Sequence, residues 1–207
     1  MLAFEEKMRR GGDAAIREAS RFFMRDDPVH RTLREVTGRL RQLKIPHAVA
    51  GGMALVAHGY FRTTVDIDIV VTSAGLAAIH EALEGLGYST PFAGSKNLRD
   101  TQTGVRIEFL VAGGFPGDGK PKPVAFPDPS TVVVDIDGVN YVNLATLIEM
   151  KLASGMTSIG RAKDIGDVQE LIRAIPIPRN FAEKLNPYVR DKFLELYEGA
   201  QSDEQPA

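Results

Sequence analysis

Two aspartates one residue apart, Asp66 and Asp68, lie in the run Val65-Asp66-Ile67-Asp68-Ile69-Val70-Val71, where every other residue is β-branched. Such a run reads as a strand. Side chains alternate faces along a strand, so the two carboxylates project from one side, while Val65, Ile67, Ile69 and Val71 point into a core. The later segment Val105-Arg106-Ile107-Glu108-Phe109 repeats the scheme, with Glu108 on one face and Ile107 and Phe109 on the other. If the two strands are neighbours, three carboxylates converge. Like charges at that range raise their own pKa values unless a cation neutralises them. Oxygen-only ligands favour a hard ion, so Mg2+ or Mn2+ is the expected guest. Three acids around divalent ions suit in-line phosphoryl or nucleotidyl transfer. Gly51-Gly52, between a short strand and a helix start, adds backbone that can approach a phosphate without Cβ atoms in the way.

These groups need elements to hold them. Residues Asp13 to Leu43 read as helical, broken by turn chemistry at Asp26-Asp27-Pro28, with Val36, Leu40 and Leu43 on one stripe. Pro46 stops the helix, His47 to Ala50 is a short strand, and Met53 to His58 is a helix capped by Gly59. Ser73 caps a helix through Leu86, with Leu76, Ile79, His80 and Leu83 as its periodic face. The stretch after Tyr88, with Pro91, Gly94, Asn97 and Gly104, reads as loop. Residues 113–130 hold four glycines and five prolines, a long irregular loop of the kind that is usually functional or mobile. Thr131 to Val134 and Val139 to Val142 flank a hairpin turn, and helices follow at Leu144–Ser154, Arg161–Ala174 and Phe181–Leu196. The tail from Gly199 is expected to be disordered.

Composition narrows the classes. The chain has 207 residues, 43% hydrophobic and 25% charged, close to the globular average. No apolar run approaches the ~20 residues of a membrane span, and the first residues carry no apolar signal region. A cytoplasmic location without membrane attachment is therefore expected. Zero cysteines exclude disulfides, thiolate metal sites and cysteine nucleophiles. A net charge of -2 gives no global basic field, so a nucleic-acid partner would need a local patch, for which Lys96, Arg99, Lys120 and Lys122 are the candidates.

Taken in order, Gly51-Gly52, the Arg62-x-Thr64-x-Asp66-x-Asp68 run and the strand acid Glu108 resemble a minimal nucleotidyltransferase of the DNA polymerase β type, in particular the AbiEii-like group known from toxin–antitoxin systems. Lys151-Leu152-Ala153 and Arg161-Ala162-Lys163-Asp164-x-x-Asp167 are similar to that group's downstream helical motifs, so the likeness spans residues 47 to 172. The resemblance implies an α/β (α+β) fold: a polymerase β-like core with a small mixed sheet at 28–142 behind N-terminal helices in 1–27, a C-terminal helical lobe at 143–199, and a tail at 200–207. It implies metal-dependent transfer of a nucleoside monophosphate from an NTP. Asp66, Asp68 and Glu108 would bind metal and do the chemistry, with Glu108 as base for the acceptor hydroxyl. Gly51, Gly52, Arg62, Thr64, Lys151, Lys163, Asp164 and Asp167 would face the nucleotide. The acceptor stays open between tRNA, a protein side chain and a small molecule, and an antitoxin partner belongs to the same implication.

Rival readings remain. Asp164 and Asp167, at i and i+3 on a helix, could simply pair with Lys151 or Arg161. Asp135-Ile136-Asp137 repeats the spelling of the acid pair, but Gly138 follows at once, which marks a turn whose aspartates bond their own backbone. Gly114-x-x-x-x-Gly119-Lys120 has a phosphate-loop spelling, yet Pro121 stands where a metal-binding hydroxyl belongs and cannot open a regular helix. His30, His47, His58 and His80 show no metal spacing, and His58 reads as packing. A glycosyltransferase also uses an Asp-x-Asp strand, but needs a longer nucleotide-binding region ahead of it. A non-catalytic nucleotide-binding relative completes the alternatives.

Overall fold

Asp27 and Pro28 set the first boundary as expected. In the computed structural model, which describes residues 12–202, helix α1 (Gly12–Phe23) ends before them and α2 (Pro28–Gln42) begins on Pro28. Pro28 has no N–H to waste in the first turn, and Asp27 Oδ1 accepts the Val29 and His30 amides at 2.7 and 3.2 Å. Val29, Leu33, Val36 and Leu40 form the buried stripe of α2. Strand β1 (His47–Ala50) is buried throughout and runs straight into α3 (Gly51–Ala57), which starts two residues earlier than the hydrophobic pattern suggested. Strand β2 (Asp66–Val71) follows, then α4 (Ser73–Leu83). The cap of α4 is Thr72, whose Oγ1 accepts the Gly75 amide at 3.0 Å, rather than Ser73, and the helix stops at Leu83 instead of Leu86.

The segment read as loop after Tyr88 contains two short strands, β3 (Tyr88–Ser89) and β4 (Leu98–Asp100). Two or three residues cannot show an alternation, and their pairing comes from β5 (Arg106–Val111), which lies against β4 with Leu98 opposite Ile107. A short helix α5 (Pro129–Val132), capped by Asp128, takes the place expected for the start of the next strand. Strands β6 (Val133–Ile136) and β7 (Val139–Val142) then form the hairpin, with Ile136 opposite Val139. Asp137 and Gly138 at its tip have φ of +53° and +77°, the two positive angles that a tight two-residue turn requires. Asp135 Oδ1 accepts the Gly138 amide at 3.0 Å and Asp137 pairs with Arg25, so the second Asp-x-Asp is structural.

The strands build one seven-stranded mixed sheet in the order β3-β4-β5-β2-β1-β7-β6. Pairs β2–β5 and β1–β7 are parallel and the other pairs antiparallel. Ile67, Ile69, Ile107 and Phe109 are fully buried, as their alternation required. Helices α6 (Leu144–Thr157), α7 (Ala162–Ala174) and α8 (Pro187–Ser202) follow, with 3-10 turns at Ile159–Arg161 and Arg179–Lys184. The helix expected over Phe181–Leu196 is therefore split. Pro187 suits a first helical turn but not a helix interior, and Asn186 Oδ1 accepts the Tyr188 amide at 3.0 Å to start α8 there. Helix α8 runs on to Ser202, past the expected start of the tail; residues 203–207, like residues 1–11, lie outside the described residues. No helix among the described residues is long and apolar enough to cross a membrane.

Candidate active site

The register of β2 against β5 decides the site. Asp66 lies opposite Arg106, Asp68 opposite Glu108 and Val70 opposite Leu110. A parallel pairing in this register puts the two acidic faces side by side, so Asp68 and Glu108 are neighbours although 40 positions separate them. On the other side of β2, Ala50 is opposite Asp68, which brings the start of α3 over the same carboxylate. Gly51 has φ of +58°, and a Cβ there would lie 1.8 Å from Asp68 Oδ2. At Gly52 a Cβ would lie 2.7 Å from the Thr64 side chain and 3.2 Å from Arg62 Nη2. The glycine pair is thus a steric requirement of the acid strand and of the segment leading into it.

Helices α6 and α7 supply the opposite wall. Lys151, only 6% exposed, donates to Asp164 Oδ1 at 2.9 Å and to Asp167 Oδ2 at 2.7 Å. Ser154 Oγ and Arg161 Nε both reach Asp164 Oδ2, at 2.7 and 2.8 Å. Arg62 closes the network from the loop before β2, with its Nε 3.1 Å from Asp167 Oδ1 and its Nη2 donating to Oδ2 at 3.2 Å. Burial opposes ionisation of Asp164. The Lys151 charge, hydrogen bonds from Ser154 and Lys151, and the Arg161 charge outweigh it and hold the carboxyl below its usual range. The pairing of Asp164 and Asp167 with Lys151, considered from sequence as an alternative to nucleotide contact, is present.

The acid strands behave differently. Burial pushes the Asp68 carboxyl up to about 7, helped by the charges of Asp66 and Glu108 and opposed by Lys151 and Arg161. Asp66 is held by Thr64, whose hydroxyl donates to Oδ1 at 2.8 Å, and by Arg106 Nη2 at 3.1 Å. Arg106 Nε also lies 2.9 Å from Glu108 Oε1. Asp66, Asp68 and Glu108 do line one cavity, with the Arg106 guanidinium bridging Asp66 and Glu108, and among the described residues no three acids or histidines are grouped so as to hold a metal ion. Arg106 precedes Glu108 by two residues on a strand, so its place on the same face was legible from alternation; its role as partner to both acids was not.

A cavity of about 400 Å³ lies between the acid strands and the two helices. Gly51, Gly52, Arg62, Thr64, Asp66, Asp68, Glu108, Lys151, Lys163, Asp164 and Asp167 all line it, so every site residue that the family resemblance implied reaches it. A second cavity, about 230 Å³, adjoins it at Gly51, Asp68, Glu108, Lys151, Arg161 and Asp164. Its own walls are Leu110, Phe115, Pro116, Phe126, Leu147 and Met150, with Lys96 and Gly117 beside them, and none of these apolar residues was a sequence candidate. Of the expected basic patch, Lys96 reaches this cavity, whereas Arg99 donates to Gly104 O at 2.6 Å and Lys122 to Pro116 O and Asp118 Oδ1, both at 2.6 Å. No helix follows Lys120, as the proline after it required. His58 Nε2 lies 2.8 Å from Val142 O and ties α3 to β7, a packing role.

The chain matches no family model and no curated protein. Its fold is similar to that of ANT(2″)-Ia, solved in complex with adenylyl-2″-tobramycin, with a TM-score of 0.50 and 13% identity over 84% of this chain and 98% of that one. A proposed nucleotidyltransferase from Helicobacter pylori has a TM-score of 0.47 and 16% identity over 83% of this chain and 91% of that one. Another, from Thermotoga maritima, has a TM-score of 0.45 and 18% identity over 69% and 91%. The mixed α/β architecture of this chain is therefore similar to that of ANT(2″)-Ia.

Proposed function

We propose that the chain transfers a nucleoside monophosphate from an NTP to an acceptor hydroxyl. The observation that carries the reading is the pair Asp68 and Glu108, opposite each other on parallel strands, in a cavity that Arg62, Lys151, Arg161 and Lys163 also line. Acids suited to a cation and basic groups suited to phosphate oxygens thereby share one cavity, the arrangement phosphoryl chemistry uses. The likeness in fold to ANT(2″)-Ia, solved in complex with adenylyl-2″-tobramycin, agrees with it.

Asp66, Asp68 and Glu108 form an oxygen-only donor set, and Asp68 is a carboxylate whose charge burial and like neighbours oppose. Donors of that type suit Mg2+ or Mn2+, and with Arg106 swung away from Asp66 and Glu108 a bound ion would offset charge on the triphosphate. Gly51, Gly52, Arg62, Thr64 and Lys163 would border the phosphates. Lys151, Asp164 and Asp167 would act mainly by holding Arg62 and Arg161 in position, because each is already engaged within the wall. Glu108 would take the acceptor's proton. Membership of the AbiEii-like group, with an antitoxin as partner, accords with the order of motifs between residues 47 and 172.

The test is calorimetric titration with ATP, GTP, CTP and UTP, with and without Mg2+, on the wild type and on the Asp66→Asn/Asp68→Asn double variant. Mg2+-dependent binding that the double variant loses is the expected result. Equal binding by both proteins would move the nucleotide elsewhere.

One observation favours a second reading. Arg106 already places a cation against Asp66 and Glu108, as a nucleotide-binding relative without turnover would. Tight NTP binding with no release of pyrophosphate across a panel of acceptors would select it.

A further inference from the structure

The two cavities meet at Asp68 and Glu108, and the sheet fixes how they are arranged. Along paired strands β2 and β5 the successive rungs on the site face are Asp66 with Arg106, Asp68 with Glu108, and Val70 with Leu110. Alternate residues on a strand stand about 7 Å apart. Asp66 and Arg106 line the larger cavity only, Leu110 lines the smaller only, and the rung between them lines both. The smaller cavity therefore lies on the opposite side of the acid pair from Arg62, Thr64 and Lys163.

In-line displacement at a phosphorus has the same polarity, with the leaving pyrophosphate on one side and the attacking oxygen on the other. From this, and resting on the nucleotidyl-transfer reading above, the geometry points to the smaller cavity as the acceptor site. The acceptor's hydroxyl oxygen bonds to the α-phosphorus while the bond from that phosphorus to the bridging oxygen of the β-phosphate breaks. Pyrophosphate leaves with the bonding pair, and the hydroxyl proton passes through Glu108 to solvent.

The walls say what kind of acceptor enters. Apart from the shared rim, the cavity is lined by Leu110, Phe115, Phe126, Leu147 and Met150, with Lys96 as its added charge and no added carboxylate. A polycationic sugar would find no acid there beyond Asp68, Glu108 and Asp164 of the shared rim. The volume, about 230 Å³, is below the roughly 300–1,000 Å³ of drug-sized ligand sites. It suits a single ring. The acceptor is accordingly a small hydroxyl compound with an aromatic or aliphatic ring and a neutral or anionic substituent, whose negative group would meet Lys96. The glycine- and proline-rich loop contributes Phe115, Pro116 and Gly117. That loop is fixed by Lys122 bonding Pro116 O and Asp118, and by the Phe126 amide donating to Gly114 O at 2.8 Å. At Gly117 a Cβ would lie 2.3 Å from Thr157 Oγ1 and 2.7 Å from Ser154 O, so the loop is seated directly on α6.

The probes are phenol, 4-hydroxybenzoate, tyramine and tobramycin, each followed by ligand-observed NMR saturation transfer on the full chain, with ATP titrated separately by calorimetry. The expected order is 4-hydroxybenzoate above phenol above tyramine, with tobramycin without signal. Leu110→Trp, which fills the cavity, should weaken 4-hydroxybenzoate at least about ten-fold, and Phe115→Ala should weaken it roughly five-fold through loss of ring contact. Both variants should keep ATP affinity within about two-fold, which also shows that they are folded. Phenol binding that ignores Leu110→Trp, absent phenol binding in the wild type, or a preference for tobramycin overturns the assignment. A fall in ATP affinity matching the fall for phenol also overturns it, because the cavity would then hold the nucleobase. Absent ATP binding in a wild type that still binds phenol would instead sink the nucleotidyl-transfer reading beneath it.

Discussion

Gly51 and Asp68 cannot both keep their places if residue 51 carries a Cβ, because that atom would lie 1.8 Å from the Asp68 carboxylate oxygen. Residue 51 also has a positive φ, +58°, which an L side chain adopts only with strain. The acid strand and the glycine pair are thus one steric unit, and substitutions in either should be felt in the other.

Gly51→Ala should cost about 1–3 kcal/mol from backbone strain alone, and more if Asp68 cannot move. At this chain length roughly 2–4 °C of melting temperature is lost per kcal/mol. Differential scanning calorimetry checks the stability, and Mg2+-dependent ATP binding should fall with it. An unchanged melting temperature would show that α3 shifts freely away from β2.

Lys151→Met removes the cation shared by Asp164 and Asp167, leaving Arg161 and Arg62 to compensate two buried carboxylates. Breaking a buried pair from one side costs about 3–5 kcal/mol, read from the midpoint of urea unfolding. Adding Asp167→Asn to Lys151→Met should recover part of that loss, since one orphaned charge disappears. Additive losses in the double variant would mean that the two side chains do not act as a pair.

Asp68 gives a pH dependence whose sign is fixed. Its carboxyl is raised in the folded chain to about 7 from an ordinary 3.8, so folding binds a proton more tightly than the unfolded chain does. The stability tied to that proton is fully present below the ordinary carboxylate range and is lost as pH rises toward and through 7. Without added metal, the difference in melting temperature between wild type and Asp68→Asn should therefore grow in favour of the variant from pH 4 to pH 8. The comparison cancels groups such as Asp164, whose lowered value works the opposite way, toward loss of stability in acid. At pH 8, Mg2+ should narrow the difference; a gap independent of pH would show that Asp68 is not buried as its surroundings imply.

Arg106→Ala takes away the guanidinium that spans Asp66 and Glu108. The acid face then relies more on an added cation, so the rise in melting temperature on adding 5 mM Mg2+, on the order of the concentration of a working buffer, should be larger than in the wild type. A smaller or equal rise would mean that Arg106 helps to hold the site in its cation-binding form.

Much of this protein is readable along the chain itself. Alternation over Asp66–Val71 and Arg106–Val111 assigns two strands, points Ile67, Ile69, Ile107 and Phe109 into the core, and puts the acids together on the opposite face, because strand periodicity is a property of consecutive residues. The same locality explains why Asp137-Gly138 and the Asp27-Pro28 boundary were legible, each being set by its own backbone chemistry. It also explains the misses at β3, β4 and the split before Pro187, where the elements are too short to show a period or are decided by one capping side chain. Tertiary structure alone decided that Asp68 stands opposite Glu108, that Lys151 binds Asp164 and Asp167 together, and that Arg106 bridges the acids. It alone brought the 113–130 loop onto α6 to wall a second cavity. These are contacts between groups tens of residues apart, and a carboxylate on a helix or strand face reads the same in sequence whether water or a distant lysine completes it.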